Sequence, residues 1–342
     1  VVPSRYDLSP DDVAALLGDE PAFRVRQVWD GLHRRVAEPE ELTELPAGLR
    51  RRLAEEPAFA PALREERQSV SQGGDTVKWL WALPDGTRIE TVLMHYPGRS
   101  TVCVSTQAGC AMACGFCATG QAGFDRNLST GEIVEQVARA IRAARPRRVS
   151  NVVFMGMGEP FANYDRVWDA VRRLHDDMGI SARHLTLSTV GIVPGIRRLA
   201  GEDLPVNLAV SLHAADDELR DELVPINRRY PLAELTAACR EYLAAKGRRL
   251  SFEWALIDGV NDRGIDADRL AVLARSLDAH VNLIPLNPTP GYPTRGTPPA
   301  GVRAFRDRLR ELGVNATVRR NRGTDIDAAC GQLRAAVAAQ AD

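Results

Sequence analysis

A rhythm that sets in at Thr101 limits the fold of this chain more than any other feature. Short apolar runs, each the length of one buried strand, alternate with segments of helical periodicity. The runs are TVCVST, NVVFMGMG, HLTLSTVG, VNLAVSLH, RLSFEWALI, HVNLIPLN and finally NATVRR. The first intervening helix, STGEIVEQVARAIRAA, opens with Ser129 and Glu132 spaced as a capping box, in which each side chain satisfies a free amide of the first turn. NYDRVWDAVRRLHDD, a short helix after Pro194, LAELTAACREYLAAK, DADRLAVLARSLDA and GVRAFRDRLRELG supply the others. Apolar runs flanked by helices predict an α/β chain whose strands pair in parallel through crossover helices. Six or so units predict a barrel or part of one, with ligands gathered at the carboxyl ends of its strands.

The residues before this rhythm are of another kind. From Leu8 to about Glu56 the pattern is helical, with Phe23, Val25, Val28, Trp29 and Leu32 at helix spacing and Pro46 near a second helix start. RQSVSQGGDT reads as a turn or linker, and VKWLWALPDGTRIETVLMHYP as two extended segments around the turn Asp85-Gly86. The expected organisation is a helical N-terminal unit over 1–72, a β-hairpin extension over 73–100, a barrel over 101–320 and a C-terminal tail over 321–342.

Bulk composition adds exclusions. No apolar run approaches bilayer length, and the first residues lack a secretory pattern, so a cytoplasmic protein with no membrane association is expected. The net charge of −1 gives no global pull toward nucleic acid. Yet Lys78 and Lys246 are the only lysines among 44 basic residues, and pairs such as Arg147-Arg148, Arg228-Arg229 and Arg319-Arg320 could grip phosphates. Charge leaves RNA binding open.

Half of the six cysteines lie in one short stretch, GCAMACGFCATG, directly after the first strand run: Cys110, Cys114 and Cys117. In a cytoplasmic chain such clustering points to metal or redox chemistry rather than a disulfide framework. A structural zinc site wants four ligands, and no further His or Cys follows at zinc-finger spacing. A [4Fe–4S] cluster normally takes four thiolates, so three leave one iron open to an exchangeable ligand. An iron–sulfur cluster with an open coordination position is the reading this loop favours.

The C-x3-C-x2-C pattern, with Phe116 before its third cysteine, resembles the radical S-adenosylmethionine superfamily. That resemblance implies a partial (β/α)6 barrel in which the open iron chelates the methionine moiety of S-adenosylmethionine. GMGEP, Gly156 to Pro160, ends the second run, where Gly158 would admit the cofactor and Glu159 would accept from its ammonium. Ser188 ends the third run, Ser211, Leu212 and His213 the fourth, and Asn287 the sixth, so polar groups at successive strand ends make a binding pocket.

Two isolated cysteines sharpen the resemblance. CVSTQAGCAMACGFCATG, RIETV, FMGMGEP, SLHA and RGTDIDAACGQL together resemble the RlmN/Cfr family of RNA adenine methyltransferases over nearly the whole chain. The target carbon, C2 of adenine, has no lone pair with which to attack a sulfonium. The family resemblance implies that Cys330 first takes a methyl from one S-adenosylmethionine. A radical made from a second then abstracts hydrogen from the S-methyl group, and the carbon radical adds to the ring. Cys103 resolves the adduct through a transient disulfide with Cys330, and Glu90 is the implied proton acceptor. Cys239, at helical spacing with Leu235 and Leu243, is assigned to the core, and His175, His184 and His280 to ordinary polar roles.

One branch of the family methylates C2 and a resistance-conferring branch methylates C8 of the same 23S rRNA adenosine. GEPFANY and PLNPTPG resemble the C2 branch, whose second target is the tRNA adenosine 3′ of the anticodon. The resemblance further implies a reducing partner such as flavodoxin or ferredoxin and a monomer. Arg24, Arg26, Arg34 and Arg35 make the helical unit a candidate RNA clamp. Two other classes compete: a radical enzyme with a non-RNA substrate, which has no use for Cys330, and an electron-carrying iron–sulfur module, which has no use for a polar pocket.

Overall fold

The computed structural model describes residues 4–289, 291–319, 322–333 and 335. Arg320 of the Arg319-Arg320 pair, Pro290 of PLNPTPG and most of the tail beyond Leu333 lie outside them.

Three helices open the chain: α1 (Pro10–Leu17), α2 (Phe23–His33) and α3 (Ala47–Glu55). Val13, Leu17, Val28, Leu32, Leu42, Leu49 and Leu53 close a satellite core between them. Val28 and Leu32 of the expected apolar face are buried, whereas Phe23 stands 57% exposed under the guanidinium of Arg24. The arginines of this unit are partly committed: Arg26 and Arg34 flank Asp30, and Arg35 pairs with Glu44.

The stretch RQSVSQGGDT does hold a turn, at 71–75, but its first four residues belong to a strand. β1 (Arg64–Val70) pairs antiparallel with β2 (Thr76–Ala82), which pairs antiparallel with β3 (Arg88–Tyr96). Its sequence, REERQSV, has no apolar face to betray it, because it is an edge strand exposed along most of its length. The extension is therefore a three-stranded meander rather than a hairpin, and residues 72 and 73 lie in its first turn. The expected turn at Asp85-Gly86 does join β2 to β3, with Gly86 at φ +84° and Asp85 accepting from the Thr87 amide at 3.0 Å.

β4 (Arg99–Cys103) pairs antiparallel with β3 on one side and, on the other, in parallel with the first inner strand of the barrel. A small antiparallel pair, β5 (Gln107–Gly109) and β6 (Phe124–Asn127), brackets the cysteine loop and the short helix α4 (Ala118–Ala122). The alternation then runs as α5 (Thr130–Ala144), β7 (Val149–Phe154), α6 (Tyr164–Arg172), β8 (Leu185–Thr189), α7 (Val193–Gly201) and β9 (Asn207–Ser211). It continues through α8 (Asp217–Leu223), α9 (Leu232–Lys246), β10 (Leu250–Leu256), α10 (Gly264–Ser276), β11 (His280–Pro285), α11 (Pro299–Glu311) and β12 (Ala316–Val318). The capping box of α5 forms as the spacing predicts, with Ser129 accepting from the Glu132 amide and Glu132 from that of Ser129.

One sheet of ten strands results, ordered β1-β2-β3-β4-β7-β8-β9-β10-β11-β12 and parallel from β4 onward. Among the described residues β12 does not pair back to β4, so the barrel is open. Six strands carry it, and the three-residue β12 adds a short seventh. The expected (β/α)6 partial barrel is what forms, with its carboxyl strand ends turned to one mouth. Cys239 is fully buried on α9, as its spacing predicts.

Candidate active site at the carboxyl mouth of the barrel

The cysteine loop owes its shape to close backbone approaches. Gly109 (φ +75°) lies so near the Gly123 carbonyl that an added Cβ would come within 2.1 Å of that oxygen. The Cys110 amide donates to the same carbonyl at 2.6 Å. On the other side, a Cβ on Gly120 of α4 would meet the Cys114 carbonyl at 2.8 Å. Pinned at both ends, the loop turns Cys110, Cys114 and Cys117 into one cleft of about 1080 Å³, its open mouth included.

The three thiols are free, Cys114 buried and the other two half-buried. Burial pushes the Cys110 thiol up to about 11 and Cys114 higher still, each further raised by its neighbours' charge. Three thiolates confined together are thus unstable unless a cation joins them. Among the described residues no three His, Cys, Asp or Glu side chains converge on a single metal ion. A mononuclear site would gather its sulfurs about 2.3 Å from one centre, whereas a cubane cluster takes each thiolate on a separate iron. Three loop thiols lining one cleft are a donor set that such a cluster accepts.

Strand ends furnish the opposite wall. After β7, Gly156 and Gly158 pass so close to Val104 and Gln107 that a Cβ would stand 2.6 and 2.5 Å from them. Glu159 follows, buried, accepting from the Phe161 amide at 3.0 Å and the Val190 amide at 2.9 Å. Desolvation nevertheless pushes its carboxyl up to about 7, which makes it responsive to any cation entering the cleft. Ser188 and Ser211 line the cleft at the ends of β8 and β9. Leu212 is buried and holds the turn through its backbone, its amide donating to the Glu253 carbonyl at 3.0 Å.

His213 has the left-handed backbone (φ +59°) and accepts at Nδ1 from the Ala255 amide at 3.0 Å, so its proton sits on Nε2. Burial and the nearby Arg220 charge hold it down at about 3, a neutral ring set edge-on to Phe116 at 4.8 Å.

The C-terminal tail crosses this mouth. The Ala118 amide donates to the Gly331 carbonyl at 2.8 Å, the Thr119 hydroxyl to that of Leu333, and Asn287 Nδ2 to that of Cys330 at 3.1 Å. Gln332 Nε2 donates to the Pro288 carbonyl at 3.2 Å. Farther back, Arg322 pairs with Asp75 and donates to the His95 carbonyl, and Lys78 donates to the Asp327 carbonyl at 3.1 Å. Cys330 thereby lines the same cleft as the three loop cysteines. It also borders a smaller recess with Cys103, which ends β4. Burial pushes Cys103 up to about 12.

Glu90 lies elsewhere. Buried on β3, it is not among the described residues lining the cleft; its carboxylate pairs with Lys78 at 2.9 Å and accepts from the Ala335 amide at 3.4 Å.

Sequence reasoning overlooked Arg220. It lies in the acidic stretch DDELRDEL, where α8 turns it inward, fully buried. Its guanidinium donates to the carbonyls of Val190 (2.6 Å), Leu212 (3.1 Å) and Ser211 (3.4 Å), tying the ends of β8 and β9 together. Burial holds it down at about 10. Only a charge count on the inward face of α8 could have flagged it.

An open parallel barrel with a three-cysteine loop at its carboxyl mouth defines the radical S-adenosylmethionine class of enzyme. Residues 104–271 match the family model of the Radical SAM superfamily. The probable dual-specificity RNA methyltransferase RlmN of Frankia alni is 55% identical over 99% of this chain and 85% of its own length. That of Streptomyces coelicolor is 50% identical over 97% and 95%. The crystal structure of a radical SAM methyltransferase from Sphaerobacter thermophilus superposes with a TM-score of 0.93 at 50% identity, covering 98% of this chain and all of that one. This chain belongs to the RlmN family of radical SAM RNA methyltransferases. Membership implies a [4Fe–4S] cluster and S-adenosylmethionine. Among the described residues, no helix is long and apolar enough to cross a membrane.

Proposed function

We propose that this protein methylates C2 of an adenosine in 23S rRNA near the peptidyl-transferase centre, and C2 of the tRNA adenosine 3′ of the anticodon. The dual-specificity name carried by its relatives supports two RNA targets. In this reading Cys110, Cys114 and Cys117 hold the cluster, and Gly158, Glu159, Ser188, Ser211, Leu212, His213 and Asn287 surround S-adenosylmethionine. The glycines admit it, Glu159 receives its ammonium, and neutral His213 and Phe116 wall the cleft without adding charge beside the sulfonium.

The observation that carries the reading is the tail's anchorage. Hydrogen bonds to α4 and Asn287 bring Cys330 into the cleft with the loop cysteines, while Cys103 faces it across a recess. One sulfur can thereby meet a methyl donor and a resolving thiol. Cys330, as thiolate, displaces S-adenosylhomocysteine and keeps the methyl group. When bound, the reduced cluster and a second S-adenosylmethionine supply the radical that takes a hydrogen atom from that methyl. The S-methylene carbon of Cys330 bonds to C2 of the base, Glu90 receives the C2 proton, and the unpaired electron of the adduct would return to the bound cluster. Cys103 attacks the Cys330 sulfur to give a disulfide and the product, whose released carbon takes up a proton. Two S-adenosylmethionines are spent per turnover, and a flavodoxin- or ferredoxin-like partner returns the electrons. We also propose that the units bounded near residues 72, 100 and 320 act as RNA clamp, extension, barrel and methyl-carrying tail in a cytoplasmic monomer. The target base leaves its stack to reach the mouth.

Reconstituted enzyme incubated with methyl-labelled S-adenosylmethionine and no RNA is expected to carry label on the Cys330 peptide, with none in Cys330→Ala. An unlabelled Cys330 in cluster-loaded protein overturns the two-stage reading. Nucleoside analysis of methylated 23S rRNA and tRNA is expected to give 2-methyladenosine; 8-methyladenosine sinks the C2 assignment.

A further inference from the structure

Arg319 stands one residue beyond β12, where its amide continues the parallel ladder by donating to the Leu283 carbonyl at 2.8 Å. Its side chain borders both the main cleft and the recess behind it, together with Cys330 in both and Cys103 in the recess. Arg319 is half-buried; a guanidinium carries five donors and a permanent charge, and one lining a cavity normally meets a carboxylate. This one forms no ion pair among the described residues; its contact is Nη1 to the thioether of Met155 at 4.0 Å. Arg322, three residues on, does pair with a carboxylate, that of Asp75. Glu253 on β10 faces the same cleft and its charge also raises Arg319, but it makes no ion pair with it. Its Oε1 accepts from Asn282 at 2.8 Å and Ser251 at 3.1 Å, and its Oε2 is buried without a hydrogen-bond partner among the described residues.

We infer that Arg319 is the counter-cation of the Cys330–Cys103 thiol pair, supplying the positive charge against which either sulfur stands as a thiolate. The inference deepens the proposed function and rests on Cys330 being the methyl acceptor. Arg319 is held up chiefly by the charge of Cys330, and it in turn opposes the burial that pushes Cys103 up to about 12. The other titratable groups bordering the two cavities are Tyr96 on β3, Glu253, Glu159, His213, Arg322 and the loop cysteines. Among the described residues Arg319 is the cation shared by both cavities.

In the methyl transfer the sulfur of Cys330 forms a bond to the methyl carbon as the carbon–sulfonium bond breaks, so one negative and one positive charge vanish together. The thiol proton has left to solvent beforehand. In the resolving step a Cys103 thiolate forms the S–S bond as the bond from the Cys330 sulfur to the product methylene breaks, and that electron pair stays with the methylated base, to be protonated. Each nucleophile is an anion made beside Arg319. A cation bordering the cavities of both sulfurs serves both halves of the cycle.

The test compares cluster-loaded enzyme alkylated, under anaerobic conditions and at one pH, with neutral iodoacetamide and with anionic iodoacetate. Modification of the Cys330 peptide is read by mass spectrometry. A local positive charge favours the anionic reagent, so the iodoacetate-to-iodoacetamide ratio is expected to fall about fivefold in Arg319→Met. Arg319→Lys, which keeps the charge, is expected to restore most of it. Folding of each variant is read separately, from bound iron per chain and resistance to proteolysis, and the ratio for each protein in guanidinium chloride serves as the reference without local charge. Where Arg319→Met fails to fold, folded Arg319→Lys carries the test: a ratio at the wild-type value supports the assignment, and one at the reference value overturns it. An unchanged ratio in folded Arg319→Met also overturns the assignment. Labelling of Cys330 by S-adenosylmethionine in the wild type is scored separately, so its absence defeats the methyl-acceptor reading without bearing on the alkylation ratio.

Discussion

The cysteine loop and the C-terminal tail meet at the same cleft and are held there by opposite means. The loop is fixed by backbone lying against backbone, at Gly109 and Gly120, where even one added carbon has no room. Among the described residues the tail has little regular structure past β12, the short 3-10 turn Thr324–Ile326. It is held by individual hydrogen bonds to α4, the segment after β11 and the extension, by the Arg322–Asp75 ion pair and by the burial of Ala328 and Leu333. Each such bond contributes about 1 kcal/mol net, and each can be exchanged for water. The contrast matches what the two regions must do. In the proposed cycle the cluster needs sulfurs that do not move, whereas a sulfur that visits a methyl donor, a base and a resolving thiol must move.

Substitutions can break that contrast or sharpen it. Cys114→Ala is expected to remove most bound iron and with it all methylation, as iron content per chain and product nucleoside will show. Cys330→Ala is expected to abolish methylation as completely while leaving iron content at the wild-type level; iron loss in this variant would mean the tail is part of the cluster site. Gly120→Ala forces a carbon against the Cys114 carbonyl. It is expected to cost roughly 1–3 kcal/mol and lower iron occupancy. Arg322→Met removes the ion pair to Asp75 and the bond to the His95 carbonyl. With Asp75 45% exposed, the loss is expected to be no more than about 1 kcal/mol. Its signature is faster proteolysis of the tail at unchanged iron content. Equal protease resistance would show that the tail is as firmly seated as the loop.

What was legible in the sequence follows the same division. The parallel strands, the capping box of α5 and the burial of Cys239 are local patterns, and periodicity reports them directly. β1 was lost because an edge strand needs no apolar face, and REERQSV has none. Arg220 was lost because its role depends on which way α8 faces, a property of packing rather than of DDELRDEL. The loop's three cysteines announced themselves by spacing, but Cys330 lies 213 positions after Cys117 and only the folded barrel brings it near. Glu90 shows the limit from the other side: the structure gives it Lys78 as a partner and a place outside the cleft lining, so its proposed work requires the tail or the RNA to bring the chemistry to it.

The strand that carries Cys103 is also the seam of the molecule. β4 pairs antiparallel with the extension on one side and in parallel with the barrel on the other. A barrel trimmed to begin at residue 101 would shorten that strand and leave its remaining edge, with Val102 and Cys103, unpaired. An unprotected edge of this kind recruits the edges of other molecules, and here it would offer a thiol to them as well. The extension thus covers a sheet edge that the barrel alone would leave open.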